Sequence, residues 1–251
     1  ASDVYKRQAV IIANENYQEE VNVEFALNDG MAFREYCVKL LGIPESNLHV
    51  RKDATLNNML AEINWMQNIA KAYGAEARFI FYYAGHGMPD ESNGTSYLLP
   101  VDGKSNIPAT GYSMSRLYSE LNGLNAACVT VLMDACFSGS KRGEGMLASA
   151  RGVALKAKAE APKGNMLVMT AAQGSETAYP YKEKKHGLFT YFLLKKLQES
   201  KGKVTYGTLF DYVKTNVAQK SVVVNEKSQT PTVAVSGNLV STWQSIRLNE
   251  D

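Results

Sequence analysis

The sequence predicts an α/β protein with a mostly parallel sheet and helices on both faces. Short apolar runs rich in β-branched and aromatic residues recur along the 251 residues. Longer segments, whose apolar residues have helical spacing, separate these runs. Strands that alternate with helices in this way form parallel sheets, in which sites lie at the carboxyl ends of the strands.

The first 100 residues predict four strands and two helices. Residues 25–41 carry apolar side chains at helical spacing, and Gly42 then ends the helix. Residues 55–73 predict a longer helix with one apolar face. The clearest strand, residues 78–84, is aromatic and β-branched and is followed by Gly85. The other predicted strands are residues 9–13, 48–51 and a short one at 97–100.

The rest of the chain continues the alternation. The same criteria predict helices at residues 114–121, 188–197 and 209–217, and strands at residues 128–133, 166–171 and 232–235. These elements and those before them fall within a single predicted domain, residues 9–240. Residues 1–8 are polar and are predicted to be a leader, and residues 241–251 are predicted to be a tail.

One stretch, residues 138–164, differs from the rest in composition. It is rich in Gly, Ala, Ser, Lys and Arg and has weak periodicity, which predicts a long loop. Loops of this length inside a compact domain are usually functional. We therefore expect residues 138–164 to have a role beyond connection.

Composition excludes several classes of function. Lys and Arg total 27 against 25 Asp and Glu, so there is no excess of positive charge for nucleic-acid binding. No apolar run approaches the roughly 20 residues of a transmembrane helix, so we expect no membrane partner. Three cysteines cannot build a disulfide framework, and a free thiol favours the cytoplasm. Secretion after removal of a signal peptide would leave the same chain.

Two chemically reactive side chains directly follow predicted strands. His86 lies between two glycines after residues 78–84, and Cys136 follows residues 128–133. In a parallel sheet both would emerge at the same edge. An imidazole beside a thiol favours the thiolate near neutral pH and so activates a nucleophile. Cys37 and Cys128 fall within predicted elements and are expected in the core. His49 is expected at the surface or at a strand edge. His186 is expected in a solvated loop, with a position next to the substrate cleft as the alternative.

The spacing between His86 and Cys136, 136 − 86 = 50 residues, matches a caspase signature. The chain resembles the caspase-like superfamily of cysteine peptidases, most closely its bacterial and metacaspase-type branch. This resemblance implies an α/β/α sandwich around a mostly parallel six-stranded sheet. The segments that carry it are residues 25–29, 82–87, 97–102, 134–139 and 187–190.

The resemblance also implies the catalytic roles. Cys136 would be the nucleophile and His86 the general base and acid. The backbone N–H groups of Gly87 and Cys136 would form the oxyanion hole. A peptide or protein substrate would lie along a sheet edge as an added strand.

Charge indicates the substrate specificity. Caspases that cleave after aspartate have a glutamine two residues before the cysteine, where this chain has Asp134. A carboxylate there favours Arg or Lys at P1, the residue before the cleaved bond. In metacaspases a second aspartate, matched here by Asp29, shares this role. Alternative roles are capping, by Asp134 of its own turn and by Asp29 of a helix. Ser175 and Glu176 are further candidates for lining the cleft.

The chain departs from the metacaspase pattern at the residue after the nucleophile, which is histidine in most metacaspases and Phe137 here. It weakens the expectation of calcium activation. Asp90, Glu91 and Asp102 are the carboxylates available for a calcium site, and three scattered carboxylates are weak evidence. We therefore predict no required cofactor or metal.

Two other functions stay open. A caspase-like scaffold with an idle site would have the same fold, although both catalytic residues are present. A related hydrolase or peptide ligase would form the same acyl-enzyme, so that only its products would identify it.

The 138–164 loop also predicts self-cleavage by an enzyme specific for Arg and Lys, because it contains six basic residues. They are Lys141, Arg142, Arg151, Lys156, Lys158 and Lys163. The sequence does not determine the oligomeric state.

Overall fold

The computed structural model describes residues 3–90, 94–137, 161–174 and 176–249. Within these residues the helices are α1 (Ala26–Lys39), α2 (Leu56–Tyr73), α3 (Met114–Asn122), α4 (Leu188–Glu199) and α5 (Tyr206–Asn225). The strands are β1 (Arg7–Ala13), β2 (Leu48–Lys52), β3 (Arg78–Ala84), β4 (Gly87–Pro89), β5 (Ser96–Leu98), β6 (Tyr112–Ser113), β7 (Cys128–Asp134), β8 (Met166–Thr170), β9 (Pro180–Tyr181), β10 (His186–Gly187) and β11 (Thr232–Val235).

The central sheet has six strands in the order β11-β8-β7-β3-β1-β2. All neighbours in it are parallel except β11, which runs antiparallel to β8. The predicted fold class is therefore confirmed. The pairing register places Ala13, Ala84 and Asp134 in one row, so β1, β3 and β7 end together at one edge of the sheet.

Both faces of the sheet are covered, which explains why β1 and β7 are buried along their whole length. Alternate side chains of β3 serve opposite faces. Tyr82 belongs to the cluster that contains α1, α4 and α5 residues, and Tyr83 belongs to the cluster that contains α2 and α3 residues. Among the described helices, α2, α3 and α5 begin at capping side chains; at the start of α2, Thr55 accepts a hydrogen bond from the N–H of Asn58.

The remaining strands form two small sheets. β4, β5 and β6 make an antiparallel sheet next to the carboxyl end of β3, and β9 pairs with β10. The predicted strand at residues 97–100 corresponds to β5, so it lies outside the central sheet. The turn between β3 and β4 contains Gly85 and His86.

Two predicted boundaries are wrong. Arg7 and Gln8 belong to β1 and are buried, so the leader does not extend to residue 8. The segment from residue 241 to residue 249 is not a free tail, because Trp243 packs on Phe210 of α5 with ring centroids 6.3 Å apart. The buried Leu248 also donates its N–H to the carbonyl of Val204. Residues 7–8 and the segment 241–249 therefore contribute to the body of the domain.

Candidate active site

The two predicted catalytic segments lie side by side at the carboxyl edge of the sheet. β3 and β7 are neighbours, and the N–H of Gly85 donates to the carbonyl of Asp134 at 3.3 Å. A β-carbon at Gly87 would lie 2.6 Å from the Phe137 ring and 2.8 Å from the carbonyl oxygen of Cys136. Only glycine fits at residue 87, because the two segments are in direct contact there.

The hydrogen bond of His86 identifies its basic nitrogen. Nε2 lies 2.8 Å from the carbonyl oxygen of Val21, in the loop between β1 and α1. A carbonyl oxygen only accepts hydrogen bonds, so Nε2 carries a proton. In the neutral imidazole the proton acceptor is then Nδ1. The Tyr17 ring packs against the imidazole with centroids 4.6 Å apart and holds its plane.

The three cysteines differ in their surroundings. Cys136 is 2% exposed and lies at the site edge, directly after β7. Cys37 on α1 is fully buried, and this burial raises the pKa of its thiol. Cys128 is buried at the opposite end of β7, with Sγ 3.9 Å from Oγ1 of Thr130. Cys37 and Cys128 therefore lie in the core, and Cys136 lies next to the His86 segment.

The two aspartates predicted to bind P1 both hold the start of α4. Asp134 accepts hydrogen bonds from the N–H and the Oγ1 of Thr190, at 3.1 and 2.7 Å. Asp29 accepts from the N–H of Gly187, at 2.9 and 3.1 Å. Both carboxylates are fully buried. A helix N-terminus favours negative charge, so α4 stabilises both acids.

His186 has a partner that sequence reasoning missed. Its Nδ1 lies 2.7 Å from Oδ1 of Asp29, and its side chain is 18% exposed. The side chain is therefore half-buried rather than solvated, as its expected loop position implied. His49 also has partners, since it stacks on Trp65 and its Nδ1 lies 2.6 Å from the buried Glu62. No sequence pattern signals the His186 pair, because Asp29 is 157 residues away in the chain.

Of the other two predicted substrate residues, the structure describes Glu176 but not Ser175. Ser175 lies outside the described residues, as do residues 138–160 of the long loop. Glu176 accepts hydrogen bonds from the N–H and Oγ1 of Thr230 and from the side chain of Gln173. Its carboxylate thus connects the segment after β8 to the residues just before β11.

The described residues offer little for a metal ion. Within them, no group of three or more His, Cys, Asp and Glu side chains is arranged to hold one. Asp102, one of the three carboxylates considered for calcium, accepts the N–H of Leu56 at the start of α2. Glu91 lies outside the described residues.

The described helices all lack the length or the apolar character that a membrane-spanning helix requires.

Asp53 anchors the loop that carries Tyr17 and Val21. One carboxylate oxygen accepts the N–H groups of Glu15 and Asn16, each at 2.9 Å, and the other accepts the Asn16 side chain at 2.8 Å. Burial alone would raise the pKa of Asp53. The hydrogen bonds from the side chain and N–H of Asn16 and from the N–H of Glu15 outweigh that effect and hold its pKa below the usual range.

The comparisons with known proteins identify the family. A family model for peptidase C14, the caspase domain, matches residues 6–239. The chain therefore belongs to the caspase-domain family, which confirms the resemblance drawn from its motifs. A search among curated proteins finds no match to the chain.

Two solved structures share the fold. Caspase-1 from Spodoptera frugiperda is 14% identical with a TM-score of 0.64, and the match covers 93% of this chain and 88% of caspase-1. A protein from Geobacter sulfurreducens is 17% identical with a TM-score of 0.64, and the match covers 97% of this chain and 98% of that protein. At these identities the similarity concerns the fold alone.

The Asp53 anchor predicts a pH-dependent loss of stability. We expect Asp53→Asn to lower the free energy of unfolding at pH 7 by about 1 kcal/mol, because the charged acceptor is lost. Asp53 has a φ of 50°, which asparagine tolerates, so the change isolates the charge. The pKa of Asp53 is lower in the folded protein, so its stabilisation is complete above the unfolded value and is lost as pH falls through the folded value.

Urea unfolding at several pH values measures this effect. The difference between Asp53→Asn and the wild type should shrink as the pH falls below the ordinary value of 3.8. Asp211→Asn, at an exposed position on α5, is the matched control and should change little at any pH. A difference at Asp53 that stays constant with pH would contradict the assignment.

Proposed function

We propose that this caspase-domain protein is a cysteine endopeptidase whose catalytic dyad is His86 and Cys136. The observation that carries the proposal is the contact between the His86–Gly87 turn and the Cys136–Phe137 segment. The bond from Nε2 of His86 to the carbonyl of Val21 supports it, because it leaves Nδ1 as the base. Caspase-domain proteins act on protein substrates, which fits this chemistry.

The proposed reaction proceeds through a thioester. Nδ1 of His86 takes the proton from Sγ of Cys136, and the sulfur attacks the carbonyl carbon of the peptide bond. The N–H groups of Gly87 and Cys136 donate to the oxyanion of the tetrahedral intermediate. His86 then protonates the leaving amine as its bond to carbon breaks. Water, deprotonated by His86, hydrolyses the thioester and restores the thiol.

We propose Arg or Lys at P1. Asp134 supports this specificity because it lies two residues before Cys136 and its carboxylate sits at the start of α4. Asp29 supports it because it is bound to the same start of α4 through Gly187. Two acids at one place make the P1 region negative, which attracts a cationic side chain and repels an acidic one.

A binding module with an idle site is the second candidate function. The burial of both reactive groups favours it, since His86 and Cys136 are each 2% exposed in this structure. A peptidase must expose its thiol to a peptide at some point in its cycle. Turnover by the wild type decides between the two functions.

A panel of fluorogenic peptides tests the proposed activity. Peptides with Arg, Lys or Asp at P1 are assayed with and without calcium and reductant. We expect cleavage of the Arg and Lys peptides, and a loss of at least about 10³-fold in Cys136→Ala, because the nucleophile is gone. Cys128→Ala removes a buried thiol at the far end of β7 and is the matched control, with activity retained. If the wild type cleaves no peptide in any condition, the result would favour the binding module.

The specificity rests on Asp134 and has its own test. We expect Asp134→Asn to lower kcat/KM for Arg and Lys peptides by about 10- to 100-fold relative to a peptide with neutral P1, because one charged hydrogen bond is lost. Because both peptides are assayed with the same variant, the ratio of their kcat/KM values does not depend on how much of that variant is folded. Asp102→Asn, a change at the start of α2, is the control and should leave the ratio unchanged. An unchanged ratio in Asp134→Asn would place P1 recognition elsewhere.

We further propose that the active enzyme cleaves itself within residues 138–164, where six basic residues lie. Incubation of the wild type should yield two fragments whose new ends follow Lys or Arg. Cys136→Ala incubated alone should stay intact, and Cys136→Ala mixed with wild type reports cleavage between molecules. Wild-type chains that remain intact while they cleave peptides would exclude self-processing.

A further inference from the structure

Two tyrosine hydroxyls lie against the turn that carries His86. Tyr17 comes from the loop after β1 and Tyr83 from β3, and their hydroxyl oxygens are 3.4 Å apart. Both side chains are buried. A β-carbon at Gly85 would lie 2.7 Å from each hydroxyl oxygen, so this turn requires glycine at its first residue. We call Tyr17 and Tyr83 the tyrosine pair.

The tyrosine pair binds the backbone on both sides of His86. The N–H of His86 donates to the hydroxyl of Tyr17 at 2.8 Å. The carbonyl of His86 accepts from the hydroxyl of Tyr83 at 2.7 Å. Each hydroxyl has one proton, and Tyr17 donates its own to the carbonyl of Leu99 at 3.2 Å. The proton of Tyr83 therefore serves the closer of its two acceptors, the carbonyl of His86 at 2.7 Å rather than that of Leu99 at 3.0 Å.

The carbonyl of His86 and the N–H of Gly87 belong to one planar, trans peptide unit and point in opposite directions. A bond that fixes the carbonyl therefore fixes the direction of the N–H. The N–H of Leu99 also donates to this carbonyl, at 3.0 Å. Residues alternate in direction along an antiparallel ladder, so the Gly87 N–H points away from β5. Gly87 also contacts Cys136, where the proposed oxyanion would form.

Burial keeps the tyrosine pair protonated. It raises the pKa of both phenols well above their ordinary value of 10.0. The Tyr83 hydroxyl thus remains a donor throughout the pH range of enzyme assays. A donor that does not titrate holds the peptide unit equally at each pH.

We propose that Tyr83 is a positioning residue for the oxyanion hole, which it serves by holding the carbonyl of His86 and so aiming the N–H of Gly87. This inference rests on the proposed peptidase activity. The Tyr83 side chain is fully buried, so loss of its hydroxyl should affect the transition state more than substrate binding. Misalignment of one oxyanion donor should cost less than its complete removal, which costs 10²–10³-fold in kcat in other enzymes.

The test compares Tyr83→Phe with Tyr206→Phe. Tyr206 is a buried tyrosine of α5 whose hydroxyl bonds Thr130, away from the site, so its variant reports the general cost of losing a buried hydroxyl. We expect kcat to fall by about 10- to 100-fold in Tyr83→Phe, with KM within twofold of the wild type. Tyr206→Phe should keep its kcat.

Two further readouts separate positioning from structure. A peptide aldehyde with Arg at its end adds reversibly to Sγ of Cys136, and the resulting oxyanion would occupy the same hole. Its affinity, measured by protection of Cys136 from iodoacetamide, should fall in Tyr83→Phe by the same factor as kcat/KM. Without aldehyde, the rate at which iodoacetamide alkylates Cys136 should stay within twofold of the wild-type rate. Its pH profile should be unchanged, because the dyad is intact.

The outcomes are distinguishable from a failure of the proposed function. If the wild type cleaves peptides and Tyr83→Phe keeps its kcat, the positioning role is overturned while the peptidase stands. A slower alkylation or a shifted pH profile in Tyr83→Phe overturns it too, since the variant would then have altered the dyad. If the wild type neither cleaves peptides nor is protected by the aldehyde, both proposals fall.

Discussion

The parallel pairing of β3 with β7 is the constraint on which the geometry of the site depends. The register pairs Ala84 with Asp134, the last residues of the two strands. Their continuations leave the sheet one strand spacing apart, about 5 Å, which is the reach of a side-chain contact. His86 and Cys136 each lie two residues beyond this register. The sheet thus brings together residues that are 50 apart in the chain.

The edge of the sheet requires polar partners, because the strands end inside the protein rather than in water. Asn14, directly after β1, meets part of this need. It is fully buried, accepts the N–H of Ala54, and donates to the carbonyls of Ala54 and Leu99. The hydroxyl of Tyr17 also bonds the carbonyl of Leu99. Groups that satisfy the buried backbone therefore also hold the loop that touches His86.

The buried strands of the central sheet were predictable because they are largely apolar, and β3 has the predicted bounds, Arg78–Ala84. The short strands β4, β6, β9 and β10 were not predicted, because two or three residues show no periodicity. The start of β1 was missed because its first residues are polar and find partners elsewhere in the fold. The guanidinium of Arg7 donates to the carbonyl of Leu41, 34 residues away. Sequence patterns report local burial, and they do not show which distant carbonyl will accept a buried cation's hydrogen bond.

Sequence patterns have the same limit at the candidate active site, where they do not show distant hydrogen-bond partners. His86 and Cys136 could be proposed as site residues because each follows a buried strand in a glycine-containing motif. The carbonyl of Val21 and the hydroxyl of Tyr17 could not, since they belong to a loop whose path depends on Asp53. A backbone carbonyl has no sequence signature at all. Candidate catalytic side chains can thus be proposed from sequence, whereas identifying the groups that contact them requires coordinates.

The start of α4 joins the proposed specificity residues to the dyad. Asp134 is a carboxylate that only accepts, so Oγ1 of Thr190 donates to it, and that oxygen then accepts from the hydroxyl of Tyr82 at 2.7 Å. This chain of hydrogen bonds runs from β3 through α4 to β7. The N-terminus of α4 also places a positive partial charge beside this buried acid. The proposed recognition of a cationic P1 side chain and the placement of the proposed nucleophile therefore depend on one set of packed elements, β3, β7 and α4.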